Sequence, residues 1–528
     1  ITAGNYAHLN NSGNGDRTLA NSGSIGVSGI FTPGVGNYTV TGSTVEFNGT
    51  SAQTIPALPP NSIYNTIEIN NVAGVSMVAD INLQDALTLT DGDLTTTGFV
   101  FTFLSSATQT ARIAPVVNGG IVGDITVQRF VPGGDAGWST IGMPVAGKTI
   151  DEWTDDIITS GFTGSTTGTG TFVSIYSYDE NATGNADALA SYVPVGSSSD
   201  AVDPVKGYFA FIADNATTVS DKILDVTGPP LTDDQDLNVA YTANTNVNED
   251  GWNLVSNPYV SAIDWTSPNW TKTNMDNAIY IYDADNAQYV GYVSGASFNG
   301  GNEIIGSSQA FFVHANAASP SLIASEGVKD VSSPTFYKSN SNAADGLLRM
   351  QLDGLNGSYH DEAVFRTLPG ASSNFDSEYD AYKLYSFDYS APNICTINNG
   401  VKYVVNTVGE LTQNLDLALK VNIPTSGNYT INFKGLINFS TLNCFTLEDK
   451  ETNAFVDLSV DSSYSFISDV DTVASHARFV LHFGVEAIMP VIVPSATTLS
   501  LPGNATVNFG NGSSGANRYT WDFGDGTA

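Results

Sequence analysis

Apolar and polar residues alternate along most of this chain in short runs of four to six positions. Up to about residue 130 the runs include GSTVEFNG from Gly42, TIEIN from Thr66 and ALTLT from Ala86. A period of two over so short a stretch predicts half-buried β-strands, because successive side chains point to opposite faces. Turn residues (SGNG, NNVAG, TDGD) break the runs at regular intervals. The stretch from Tyr6 also resembles the one from Tyr64. Many short strands with internal self-similarity predict a β-solenoid, whose rungs stack into one continuous core. A β-sandwich with the same strand spacing is the alternative.

From 131 to 334 one pattern occurs twice. GWSTIGMP (Gly137 to Pro144) returns as GWNLVSNP (Gly251 to Pro258), and TIDEW at Thr149 returns as SAIDW at Ser261. IYSYDENA from Ile175 matches IYIYDADNA from Ile279, and KGYFAFIADNA from Lys206 matches QAFFVHANA from Gln309. The motifs keep their order, so the region is expected to hold two equivalent β-sandwiches, starting near 137 and 251. Thr149 and Ser261 each precede an acid (Glu152, Asp264) by three residues. This is the capping-box spacing and predicts a brief helical turn in both copies. Trp138 and Trp252 occupy the same place in each copy, which favours core positions for both. The rival reading, sugar stacking, involves Trp138, Trp252, Tyr176, Tyr178, Tyr280 and Tyr282.

Residues 335 to 485 carry a third pattern of alternating strands, from LLRMQLDG to RFVLHFG, expected as another antiparallel sandwich. Its densest charge group is Asp376, Glu378, Asp380 and Lys383. Alternation with Phe375, Tyr379 and Tyr382 sends these acids outward, as on a solvated strand edge. Residues 486 to 528 end in RYTWDFGDGTA. The fold class predicted is thus all-β: a solenoid-like module, several antiparallel sandwiches and the start of a further domain. The chain opens in mid-pattern and stops in mid-motif, as expected of a segment of a longer polypeptide.

Composition sharpens this picture. Charged residues are only 13% of the chain while Gly alone numbers 51, a balance that suits strands and polar turns. The formal net charge of −35 disfavours nucleic acid and anionic membranes as partners. No apolar run approaches the roughly 18 residues of a membrane-spanning helix.

Candidate chemistry is sparse. The solenoid region has no Lys before residue 130, and its basic groups (His8, Arg17, Arg112, Arg129) are scattered. Asp91 and Asp93 form its one close carboxylate pair, and TDGD reads as a tight turn. No catalytic site is therefore assigned. The acidic turns Asp179–Asn181 and Asp283–Asp285 offer carboxylate and carbonyl oxygens suited to calcium, making Asp179, Asp283 and Asp285 the metal candidates. No other cofactor is implied.

Three stretches carry a family likeness: GWNLVSNPYVSAIDW, the series DEAVFR…FDSEYDAYKL…RFVLHFG, and the closing RYTWDFGDGTA. They resemble large type IX-secreted surface proteins of Bacteroidota, and the last is similar to the start of a polycystic kidney disease (PKD) domain, an Ig-like fold. In that family Trp521 would fill the sandwich core while Asp522, Gly524 and Gly526 shape a tight turn. The resemblance implies an extracellular, cell-surface location and an adhesin-like or scaffold role. The ligand would be a glycan or protein, and self-association into a filament is a further form of that role. The alternative is a glycan-binding accessory region of a larger polysaccharide-active enzyme. An oxidising setting would let Cys395 and Cys444, the two cysteines of the chain, form a disulfide.

Overall fold

The computed structural model describes residues 23–484, except 171, 183–188, 216, 244–249, 335–346, 356–358, 389, 440–441, 443 and 472–476. It also describes the strand backbones at 17–18, 492–494 and 509–511. The PKD-like residues Trp521, Asp522, Gly524 and Gly526 lie outside the described residues. The fold is almost entirely β, with a solenoid-like sheet and several separate antiparallel sheets. It forms two compact units, Ile1–Asn342 with Leu384–Asp388, and Ala343–Lys383 with Tyr389–Ala528.

The first unit opens with the solenoid. Strands Ser24–Val27, Thr44–Phe47, Ile63–Asn70, Ile81–Asp91, Phe101–Phe103 and Ile125–Val131 stack in parallel. A second parallel sheet joins Gln53–Ile55, Val75–Met77, Leu94–Thr95 and Ile121–Val122. Parallel pairing decides for the solenoid over the sandwich. It works because equivalent positions on successive rungs are apolar. Val27, Phe47, Ile69 and Leu89 lie side by side in register, as do Val45, Ile67 and Leu87, and all are buried. Each such side chain contributes roughly 1.5–3 kcal/mol of burial. The TDGD segment is the turn that its letters predicted. Gly92 adopts φ +84°, and a Cβ there would lie 1.9 Å from the Asn71 carbonyl oxygen, so only glycine fits.

The solenoid does not end in an open edge. Its last strand, Ile125–Val131, pairs antiparallel with Lys222–Gly228 of the first repeat copy over seven residue pairs. The second copy is joined as well, since the Ile113 N–H donates to the Val260 carbonyl at 2.6 Å and the Val116 N–H to Glu326 at 2.8 Å. One apolar core runs from Val27 to Val260.

In the second unit one mixed sheet connects eleven strands, and Ile492–Pro494 pairs separately with Phe509–Asn511. Strands His360–Thr367 and Val401–Val408 pair in parallel within it. The sheet curls around its own core, so that Tyr464 near one end of the strand order donates to Asp449 near the other, 3.0 Å away.

Two expectations fail in this unit. Cys395 and Cys444 are free thiols. Their strands are separated by two others, and at about 4.8 Å per strand the gap is on the order of 14 Å, beyond disulfide reach. They are offset along the strands too: Cys395 faces Lys420, whereas Cys444 faces Gly484. The charge group also departs from the outward reading. Glu378 is exposed, but Asp380 and Lys383 are buried. Ser377–Tyr379 is a turn, so strand alternation does not apply there. Asp380 accepts the N–H groups of Thr407 (2.6 Å) and Asp376 (2.8 Å), and burial raises its pKa to about 7.

Candidate recognition cleft

The two repeat copies build sheets with the same spatial order. In the first, Gly137–Ile141 lies beside Tyr208–Ile212, then Ile175–Tyr178, then Tyr192–Pro194. In the second, Trp252–Ser256 lies beside Ala310–His314, then Ala278–Asp283, Gln288–Val293 and Ala296–Phe298. The register matches too. Trp138 faces Phe211 and Tyr176 faces Phe209, while Trp252 faces His314 and Tyr280 faces Phe312.

One face of each sheet is alike. Trp153 packs on Tyr208 at 5.5 Å and Trp265 on Phe311 at 6.0 Å, at equivalent places, and both tryptophans are buried. They come from the TIDEW and SAIDW segments, whose backbones differ. The first forms a short 3₁₀ turn at Ile150–Trp153 without a side-chain cap from Thr149. In the second the expected helical turn is replaced by strand Ala262–Asp264, because that segment pairs with Ile304–Ile305 and Lys329–Asp330.

The opposite faces diverge. Trp252 and Tyr280 are buried. Their rings touch at 5.3 Å, Phe298 covers Tyr280 at 5.5 Å, and His314 lies 4.9 Å from Trp252. The His314 ring is held by a 2.6 Å hydrogen bond between Nδ1 and the buried Asp276 carboxylate. In the first copy, Trp138 and Tyr176 are only half-buried and line an open cleft of about 300 Å³. Leu189, Tyr192, Phe209 and Phe387 complete the lining. Phe209 is the buried floor and Leu189 the exposed rim. The rings support one another nearly edge to face: Trp138 on Tyr176 at 5.6 Å, Tyr192 on Phe209 at 5.2 Å, and Phe387 on Tyr192 at 5.0 Å. Trp138 is therefore not the core residue that its repeated position suggested.

The sequence candidates divide accordingly. Trp138 and Tyr176 reach the cleft, while Trp252, Tyr280 and Tyr282 are core. Tyr178 packs on Phe312 at 5.1 Å, between the two copies. Phe209 and Tyr192 were missed, although the alternation in KGYFAFI placed Phe209 on one face with Phe211. Phe387 carried no local signal, since it arrives from nearly two hundred residues along the chain.

The calcium candidates form local turns. Asp179 accepts the Asn181 N–H at 3.0 Å. Asp283 is buried, which raises its pKa, and it accepts from the Asp285 N–H at 3.0 Å and the Asn286 amide at 2.8 Å. Among the described residues no group of three or more His, Cys, Asp or Glu side chains is placed to share a metal ion.

A family model spans residues 158–483, more than half of the chain. The chain belongs to the DUF8693 family, a domain of unknown function. The DUF8693 match begins after the Trp138 strand and runs to the end of the second unit's sheet, leaving the solenoid outside it. No curated protein and no solved structure matches the chain.

Proposed function

We propose that this DUF8693 protein is a secreted, non-catalytic cell-surface protein, in which the solenoid is the scaffold and the Trp138 cleft holds a neutral extracellular glycan. The observation that carries the reading is the open aromatic face of the first copy beside the filled face of the second. Two copies of one sheet bury the same tryptophan on one side, and only one keeps its outer aromatics accessible. Aromatic faces stack on the C–H faces of pyranose rings, and the hydroxyl of Tyr176 is a polar handle for orientation. A net charge of −35 disfavours acidic polysaccharides.

The scaffold part rests on the sheet that continues from the solenoid into the repeat module through Ile125–Val131 and Lys222–Gly228. Load crosses that junction through backbone hydrogen bonds, as an adhesin or a self-associating filament requires. The extracellular, type IX-secreted setting rests on the sequence resemblance. The accessory-region reading shares the same cleft.

The test is a glycan array with the whole chain and its Trp138→Ala variant. Binding to a neutral glycan that falls at least ~10-fold in the variant, a loss of about 1.4 kcal/mol, supports the reading. Binding that the variant leaves unchanged, or no neutral glycan bound at all, overturns it.

A further inference from the structure

We infer that Lys383 and Asp361 in the second unit condense into an intramolecular isopeptide bond. Lys383 Nζ lies 2.5 Å from Asp361 Oδ2, with side chains 2% and 0% exposed. Leu352, which faces Asp361 across the strand pair, and Ile394, which bonds to it, are both buried core residues. Burial sets this pair apart from other lysine–carboxylate contacts. Lys222 and Asp214 approach equally closely, but their side chains are 21% and 33% exposed, so water stabilises both ions. Lys329 and Glu326 stand three residues apart on one segment, with the carboxylate 17% exposed.

Transfer of one proton from Lys383 to Asp361 within the contact turns the charged pair into a neutral amine and a neutral carboxylic acid. Those neutral forms are the nucleophile and the electrophile of amide formation. The Ile394 N–H donates to Asp361 Oδ2 at 2.7 Å and draws electron density from the carboxyl carbon. Both backbones are fixed. Asp361 belongs to strand His360–Thr367, and the Lys383 N–H donates to the Lys402 carbonyl at 2.9 Å. Such tethering gives the pair the high effective molarity of an oriented intramolecular reaction. In the reaction the Nζ–Cγ bond forms and one Cγ–Oδ bond breaks. The departing oxygen takes two protons from the pair and leaves as water, so the step needs no oxidant or cofactor. The product ties strand His360–Thr367 to the segment following Ala381–Tyr382, a covalent brace within the rolled sheet.

Intact-mass spectrometry of the purified, denatured full chain decides the matter. The expected mass is lower than the sequence mass by one water molecule, with a branched proteolytic peptide joining Lys383 to Asp361. Lys383→Met and Asp361→Ala should each show the full mass of their own sequences, and the wild-type measurement stands even if either variant fails to fold. A wild-type mass equal to the sequence mass makes the contact a plain buried ion pair and overturns the inference. So does a water loss that maps elsewhere, such as a succinimide at Asp250–Gly251 or Asp353–Gly354.

Discussion

The first repeat copy leaves Trp138 half-buried in an open cleft, while the second buries Trp252 under Tyr280, Phe298 and His314. The strands, their order and their register are shared. What differs is the cover: strand Ala296–Phe298 supplies Phe298 over the second copy's aromatics, and the first copy's sheet ends at Tyr192–Pro194. The residue beside the tryptophan differs as well, Phe211 in one and His314 in the other. A repeated motif therefore specifies a strand and its face, and the burial of that face depends on what arrives from elsewhere.

Removing the tryptophans should separate the copies most sharply. Trp252→Ala deletes a filled core position and should cost about 3–5 kcal/mol of stability in denaturant unfolding. Trp138→Ala should cost less than about 2 kcal/mol, because its ring already borders solvent. Equal losses would mean that the cleft closes in solution.

Exchanging the neighbouring residue probes the same contrast more finely. His314→Phe leaves the buried Asp276 carboxylate without its imidazole partner and should cost roughly 1–3 kcal/mol. The reciprocal Phe211→His should stay within about 1 kcal/mol, since its face is half open. Both are read from thermal or denaturant midpoints.

The smallest expected effect concerns pH. Asp156 in the first copy corresponds to Pro268 in the second, counting from Trp153 and Trp265. Burial, with the nearby charges of Asp225, Asp155 and Glu152, raises Asp156 from 3.8 to about 7. A raised carboxyl binds its proton more tightly when folded, so stability rises as the pH falls through 7 and levels off below 3.8. Asp156→Asn retains an acceptor for the Asp225 N–H and should flatten this rise by roughly 1 kcal/mol, allowing for screening of a half-exposed group. Unfolding midpoints of both proteins between pH 8 and 5 check it; parallel profiles would reject the assignment.

Much of the architecture was legible in the chain itself. Period-two alternation located the strands, the recurrence of short runs such as GSTVEFNG, TIEIN and ALTLT pointed to the solenoid, and ordered repeats of GW, IYxY and the closing strand foretold two equivalent sheets. These are local properties: alternation needs only neighbouring residues, and repetition needs only comparison of one segment with another. Tertiary structure decided the rest. Asp380 and Lys383 are buried because a turn replaces the strand that alternation assumed. Cys395 and Cys444 stay apart because strand order in the rolled sheet inserts two strands between them. The cleft depends on Phe387, a distant residue laid against Tyr192 and Phe209, and on the lack, among the described residues of the first sheet, of a strand like Ala296–Phe298. Burial and proximity are set by long-range packing, so no window of sequence around Trp138 contains the information that it faces open space.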